Sequence, residues 1–142
     1  MAEASHRILI VDDNEDNRYL LNRRLRRAGY DAVESAESGP EALDKLRAET
    51  FDLVLLDIMM PEMDGIEVLD RINRDTSLRN VPVIMVSVLD DPERVVQCTE
   101  MGASDYVSET TSSETLVASV RKCLAWTGPA EQPDPGGSRD DR

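Results

Sequence analysis

Lysine and histidine are nearly missing from this chain. Among its 142 residues His6 is the one histidine, and of sixteen basic residues only Lys45 and Lys122 are lysines. A lone histidine argues against histidine-based catalysis and against multi-histidine metal centres. Cysteine is almost as scarce. Cys98 and Cys123 fall in helical stretches with no C-x-x-C spacing, which reads as two reduced thiols of a cytosolic protein. No run approaches the roughly 18 apolar residues of a membrane span, and no charged-then-apolar leader opens the chain. A cytoplasmic location without membrane association is therefore expected. Positive charge is outnumbered as well: sixteen basic residues face twenty-nine acidic ones, for a net charge of −13. That balance opposes direct nucleic-acid binding, because phosphate affinity comes from clustered Lys and Arg.

Five strand-like runs alternate with five amphipathic helical ones. Residues 7–11, 30–35, 52–56, 81–87 and 104–108 read as strands, and 14–28, 39–49, 65–74, 92–101 and 113–126 as helices. Helix starts are signalled by capping boxes at Ser38-Gly39-Pro40-Glu41 and Thr111-Ser112-Ser113-Glu114, by Asp64 ahead of Gly65-Ile66-Glu67, and by Asp91-Pro92. Gly29 and Gly102 are stop signals. The first, third and fourth strands are apolar without alternation, so both of their faces need covering. That pattern predicts a parallel sheet with helices on each side: an α/β, doubly wound (βα)5 flavodoxin-like domain of strand order 2-1-3-4-5. The chain is long enough for one such domain, over residues 1–126. Residues 127–142 are rich in Pro, Gly and acids without apolar periodicity, and read as a disordered tail or linker stub.

The chemistry gathers at strand ends. Asp52-Leu53-Val54-Leu55-Leu56 runs straight into Asp57, and Arg7-Ile8-Leu9-Ile10-Val11 into Asp12-Asp13. In a doubly wound sheet ligands bind beyond the carboxyl ends of the strands, at the switch between the first and third. Three carboxylates converging there repel one another unless a hard cation such as Mg2+, which prefers oxygen ligands, sits among them. Ser87 ends the fourth strand, where its hydroxyl can donate to an anion held at Asp57. A cation, a nucleophilic carboxylate and a hydroxyl donor together suit phosphoryl transfer.

The succession Val11-Asp12-Asp13-Asn14, Leu56-Asp57-Ile58-Met59-Met60-Pro61-Glu62-Met63-Asp64-Gly65, Val86-Ser87 and Gly102-Ala103-Ser104-Asp105-Tyr106 resembles the receiver domain of two-component response regulators, over residues 7 to about 126. The resemblance implies that Asp57 accepts a phosphoryl group from the histidine of a sensor kinase or phosphotransfer protein. It implies Mg2+ held by Asp13, Asp57 and the Met59 carbonyl, with Asp12 acting through water. Ser87 and Tyr106 match the switch pair that alters the surface of the fourth helix, fifth strand and fifth helix for a downstream partner or fused output domain. Such a module is no enzyme beyond its own phosphorylation and dephosphorylation.

The pattern breaks after the fifth strand. Glu109 stands where the family has a lysine that pairs with the acceptor, and Thr110 where it has proline. Neither Lys45 nor Lys122 is placed to substitute. Two outcomes are open: Glu109 turns to solvent and Asp57 is still phosphorylated, or coupling between Asp57 and the switch surface is weakened. A phosphorylation-independent interaction domain is the alternative function, and a Mg2+-dependent hydrolase the weakest one, since only one nucleophile and no cap domain are evident. Val88, branched where the family is usually small, restricts access to the phosphoryl group. The arginines of the first helix (Arg18, Arg23, Arg24, Arg26, Arg27) read as a solvated face, with kinase docking as the sharper reading. Met59, Met60 and Met63 read as loop packing.

Overall fold

Runs of apolar residues without alternation demand cover on both faces, and the computed structural model supplies it. It describes residues 6–87 and 91–125; Val88 and residues 126–142, with the expected tail, lie outside the described residues. The elements are β1 (Arg7–Val11), α1 (Glu15–Arg27), β2 (Ala32–Ala36), α2 (Gly39–Ala48), β3 (Leu53–Asp57), α3 (Gly65–Arg74), β4 (Val83–Ser87), α4 (Pro92–Glu100), β5 (Asp105–Ser108) and α5 (Ser113–Ala125). All strands are parallel, in the order β2-β1-β3-β4-β5. This is the flavodoxin-like (βα)5 architecture that the alternation of elements predicts.

Alternate residues of each central strand serve opposite layers. Leu9, Val11, Val54, Leu56, Val83 and Met85 pack with Leu43 and Leu46 of α2, Val68, Leu69 and Ile72 of α3, and Cys98 of α4. Ile8, Ile10, Leu53, Leu55, Ile84 and Val86 pack with Leu21 and Leu25 of α1 and with Leu116, Val120 and Cys123 of α5. Burying each such side chain stabilises the fold by roughly 1.5–3 kcal/mol. Because the period along a strand is two, a one-residue slip of β1 or β3 would exchange these layers and move the acids at their ends. The register sets Val11 beside Leu56, Asp57 beside Val86 and Ser87 beside Ser108, so the strand ends share one edge.

The boundaries differ from expectation where local hydrogen bonds intervene. Tyr30 does not begin β2. Gly29, at φ 102°, lets the Gly29 amide donate to the Arg26 carbonyl and the Tyr30 amide to the Leu25 carbonyl, at 3.0 and 3.1 Å. This six-to-one closure ends α1 and tucks Tyr30 beneath it, beside Leu25. Gly102, at φ 95°, closes α4 likewise, with the Ala103 amide donating to Cys98 at 3.0 Å. β4 starts at Val83 rather than 81, because the Val81 amide is taken up by a turn onto Leu78 and Pro82 has no amide to give the ladder. The cap of α5 is Ser112, whose Oγ accepts from the Thr115 amide at 3.1 Å, one residue beyond the expected Thr111–Glu114 box.

Gly65 is the tightest point beneath the strand ends. Its amide donates to the Ile58 carbonyl at 2.9 Å. A Cβ at residue 65 would stand 2.2 Å from the Asp57 carbonyl oxygen and 2.8 Å from Ile58 Cα, both backbone atoms that cannot swing away. Gly65→Ala is therefore expected to destabilise the domain by about 3 kcal/mol, read as a fall in the urea midpoint. An unchanged midpoint would contradict this packing.

Candidate functional site

Backbone hydrogen bonds hold the strand ends together before any side chain takes part. The Asp12 amide donates to Ala36 on β2, the Ile58 amide to Val86 on β4, and the Glu109 amide to the Ser87 carbonyl at 2.8 Å. Asp12 is 1% exposed, Asp57 5% and Ser87 1%, so three polar side chains are buried at one edge of the sheet. Asp12 Oδ1 accepts the Asn14 amide at 2.9 Å, and Asp57 Oδ1 accepts the Met59 amide at 3.3 Å. Asp12 Oδ2 is buried and accepts no hydrogen bond.

Carboxylate oxygens of Asp12, Asp57 and Glu109 all lie within 4.8 Å of one another. Glu109 is half-buried and does not turn to solvent. Its Oε2 accepts from Asn17 Nδ2 of α1 at 2.9 Å, which draws the side chain toward the two aspartates. The solvent-facing outcome is thus not the arrangement adopted. Asp13 is exposed beside the cluster and contributes charge to it rather than a converging oxygen. Met59 is 46% exposed, with its amide spent on Asp57. Tyr106, part-buried, packs against the layer formed by α2, α3 and α4.

Crowding and burial act on all three acids. Burial, then the Asp12 charge, push Asp57 up to about 7, against the Met59 amide, with Glu109 and Asp13 adding smaller repulsions. Burial also raises Asp12, opposed by the Asn14 amide, and raises Glu109, assisted by the Asp12 charge. No lysine offsets them. Lys45 lies 4.0 Å from Glu34 and Lys122 3.6 Å from Asp105, both away from the cluster. These residues fit Mg2+: a hard cation meets an all-oxygen donor set, crowded like charges and a buried carboxylate oxygen lacking a donor.

Sequence reasoning missed two contributors on α1. Asn17 orients Glu109, and Arg18 is drawn inward from the expected solvated face: its Nη1 donates to the Asp12 carbonyl at 2.8 Å, leaving the side chain 15% exposed. Both sit about one turn into a helix that begins just after Asp12-Asp13, which was the available signal. Of the other arginines of this face, Arg23, Arg26 and Arg27 are exposed as expected and Arg24 is half-buried.

Comparison with known proteins gives the family. The response regulator receiver domain family model matches residues 8–121. The chain belongs to the response regulator receiver family. Its members are signalling modules rather than conventional enzymes. The chain is 40% identical over 128 residues to a protein described as a probable transcriptional regulator, ycf27, of Guillardia theta, covering 90% of this chain and 49% of that one. It is also 40% identical over 117 residues to the response regulator PleD of Caulobacter vibrioides, covering 82% and 26%. The chain thus spans about half or a quarter of the curated relatives it matches. Among solved structures, the signal receiver domain of a signal transduction histidine kinase from Syntrophus aciditrophicus superposes with a TM-score of 0.79 at 32% identity, over 92% of this chain and 98% of that one. Among the described residues no helix is long and apolar enough to cross a membrane.

A pH dependence follows from Asp57. Folded, it keeps to about pH 7 a proton that an ordinary aspartate releases near 3.8. The folded state therefore binds more protons than the unfolded chain in that window, and stability falls as pH rises from about 4 to about 7. For the metal-free protein the fall is at most about 4 kcal/mol, and Asp57→Asn is expected to flatten it and raise the melting temperature at pH 7.5. Denaturant melts across pH check this; a stability that rises through the window in wild type would contradict the raised Asp57.

Proposed function

We propose that this receiver domain accepts a phosphoryl group on Asp57 from the phosphohistidine of a sensor kinase or phosphotransfer protein. One observation carries the reading: Asp57 is buried at the carboxyl edge of the sheet, with other acids converging on it and the Ser87 strand end next to it. Asp57 Oδ attacks phosphorus, a P–O bond forms as the P–N bond breaks, and the departing imidazole nitrogen keeps the electron pair and takes up a proton. By the family pattern Asp13, from its exposed place beside the cluster, would join Asp57 and the Met59 carbonyl in holding Mg2+, with Asp12 acting largely through water. When bound, that ion would neutralise the crevice and the charge of the transferring group. Burial excludes competing water, and the Met59 amide orients the acceptor carboxylate.

Ser87 and Tyr106 are the residues through which acceptor chemistry reaches the surface of α4, β5 and α5. A Ser87 hydroxyl drawn to the phosphoryl oxygens, with Tyr106 following, alters the face offered to a downstream partner or fused output domain. Glu109 weakens this route, because at the position of the family's lysine it sets a negative group beside the phosphoryl charge. No observation favours the phosphorylation-independent reading, since the acceptor and its acids are assembled.

Incubation with Mg2+ and a small phosphoryl donor is expected to add one phosphoryl group to wild type by mass spectrometry and none to Asp57→Ala. Fluoroberyllate with Mg2+ should shift amides on α4, β5 and α5 only weakly in wild type and several-fold more in Glu109→Lys. Labelling that survives Asp57→Ala would reject the acceptor assignment; a full shift in wild type would reject the role of Glu109.

A further inference from the structure

Glu109 has more to do in this crevice than occupy the place of a lysine. It is anchored at both ends: its amide donates to the Ser87 carbonyl at 2.8 Å, and its Oε2 accepts from Asn17 at 2.9 Å. A side chain that only avoided its neighbours would have turned outward, since residue 109 lies on a loop with solvent beside it. Instead a neutral amide holds it against two buried aspartates.

We propose that Glu109 is a direct ligand of the divalent cation, forming with Asp12 and Asp57 a three-carboxylate site that binds the ion tightly before any phosphoryl group arrives. The proposal rests on the reading of the crevice as a Mg2+ site and extends it to two carboxylates outside the set Asp13, Asp57 and Met59: Glu109, and Asp12 as a direct ligand. Two independent observations support it. The first is geometric: two oxygens on opposite sides of a hard cation, each about 2.1–2.5 Å from it, stand about 4–5 Å apart. The spread of the Asp12, Asp57 and Glu109 oxygens, all within 4.8 Å of one another, matches ligands around one ion. The second is Asp12 Oδ2, a buried carboxylate oxygen with no hydrogen-bond partner of good geometry, in a side chain whose nearest polar neighbours are Asn17 and the equally acidic Glu109. An anionic oxygen withdrawn from water and left without a donor is costly. A cation among the three carboxylates supplies what it lacks.

The consequence is a bridge. Asp12 directly follows β1, Asp57 ends β3 and Glu109 lies in the loop after β5, so one ion ties that loop to the two strand ends at the switch point. The occupied site then pulls on the β5–α5 connection through the cation, where a lysine would have acted through the phosphoryl group.

The test is titration of the intact chain with Mg2+, followed by calorimetry and by the 13C side-chain carboxyl resonances of Asp and Glu. The Glu109 carboxyl resonance should move with those of Asp12 and Asp57 along one binding curve. Glu109→Gln should weaken Mg2+ binding by about tenfold or more and abolish the Mg2+-dependent amide shifts of residues 109–111. Asn17→Ala should weaken it by a smaller factor, since Asn17 orients the ligand without touching the ion. Because Glu109→Gln removes repulsion, its melting temperature without metal should not fall, so lost affinity is separable from lost folding. An unmoved Glu109 carboxyl, or unchanged affinity in Glu109→Gln while Asp57→Asn loses binding, would overturn the proposal and leave the Mg2+ reading standing. Binding unaffected by Asp57→Asn would remove both.

Discussion

Like charges packed where water is scarce are the constraint on which the rest of this domain depends. A parallel sheet buried on both faces has one place where chain ends emerge together, and here that place carries Asp12, Asp57 and Glu109 with almost no positive charge to answer them. The layers above and below the sheet hold the acids closer than they would stand in water. Folding energy from the core is thus spent on keeping an arrangement that is unfavourable by itself. Such a site has a large response available to any ligand that brings positive charge.

The backbone makes this crowding rigid. Asp12 is tied through its amide to β2, Ile58 to β4, and Glu109 to Ser87, so each acid belongs to a strand or loop already fixed by a neighbour. The side chains are then trimmed by short-range donors: Asn14 on Asp12, Met59 on Asp57, Asn17 on Glu109. Arg18 holds the Asp12 carbonyl rather than its carboxylate. The same guanidinium lies 3.8 Å from Glu37, so its charge is directed to that residue and to the main chain rather than into the crevice.

Much of this was legible in the chain. The unbroken apolar runs of β1, β3 and β4 identify strands covered on both faces, and Gly29 and Gly102 stop helices where the residues say they do. Asp12 and Asp57 could be placed at the site because strand ends in such a sheet converge. Less local facts were hidden. Tyr30 looks like a strand residue until the bond of its amide to Leu25 is known, and Arg18 is indistinguishable in sequence from the arginines that follow it. The direction taken by Glu109 depends on Asn17, 92 residues earlier, and a preference set by a partner so distant leaves no periodic trace.

The closeness of Gly65 to the Asp57 main chain gives the site a handedness. On that side the wall is backbone against backbone, hydrogen-bonded through Ile58, with no side chain to rearrange. On the other side stand the side chains of Asp12 and Glu109 and the Ser87 strand end, each on a separate element. A change of charge or volume at Asp57 accordingly meets main chain on the α3 side and side chains of other elements on the opposite one. The glycine acts as an anvil: it backs the acceptor with main chain that has no room to yield.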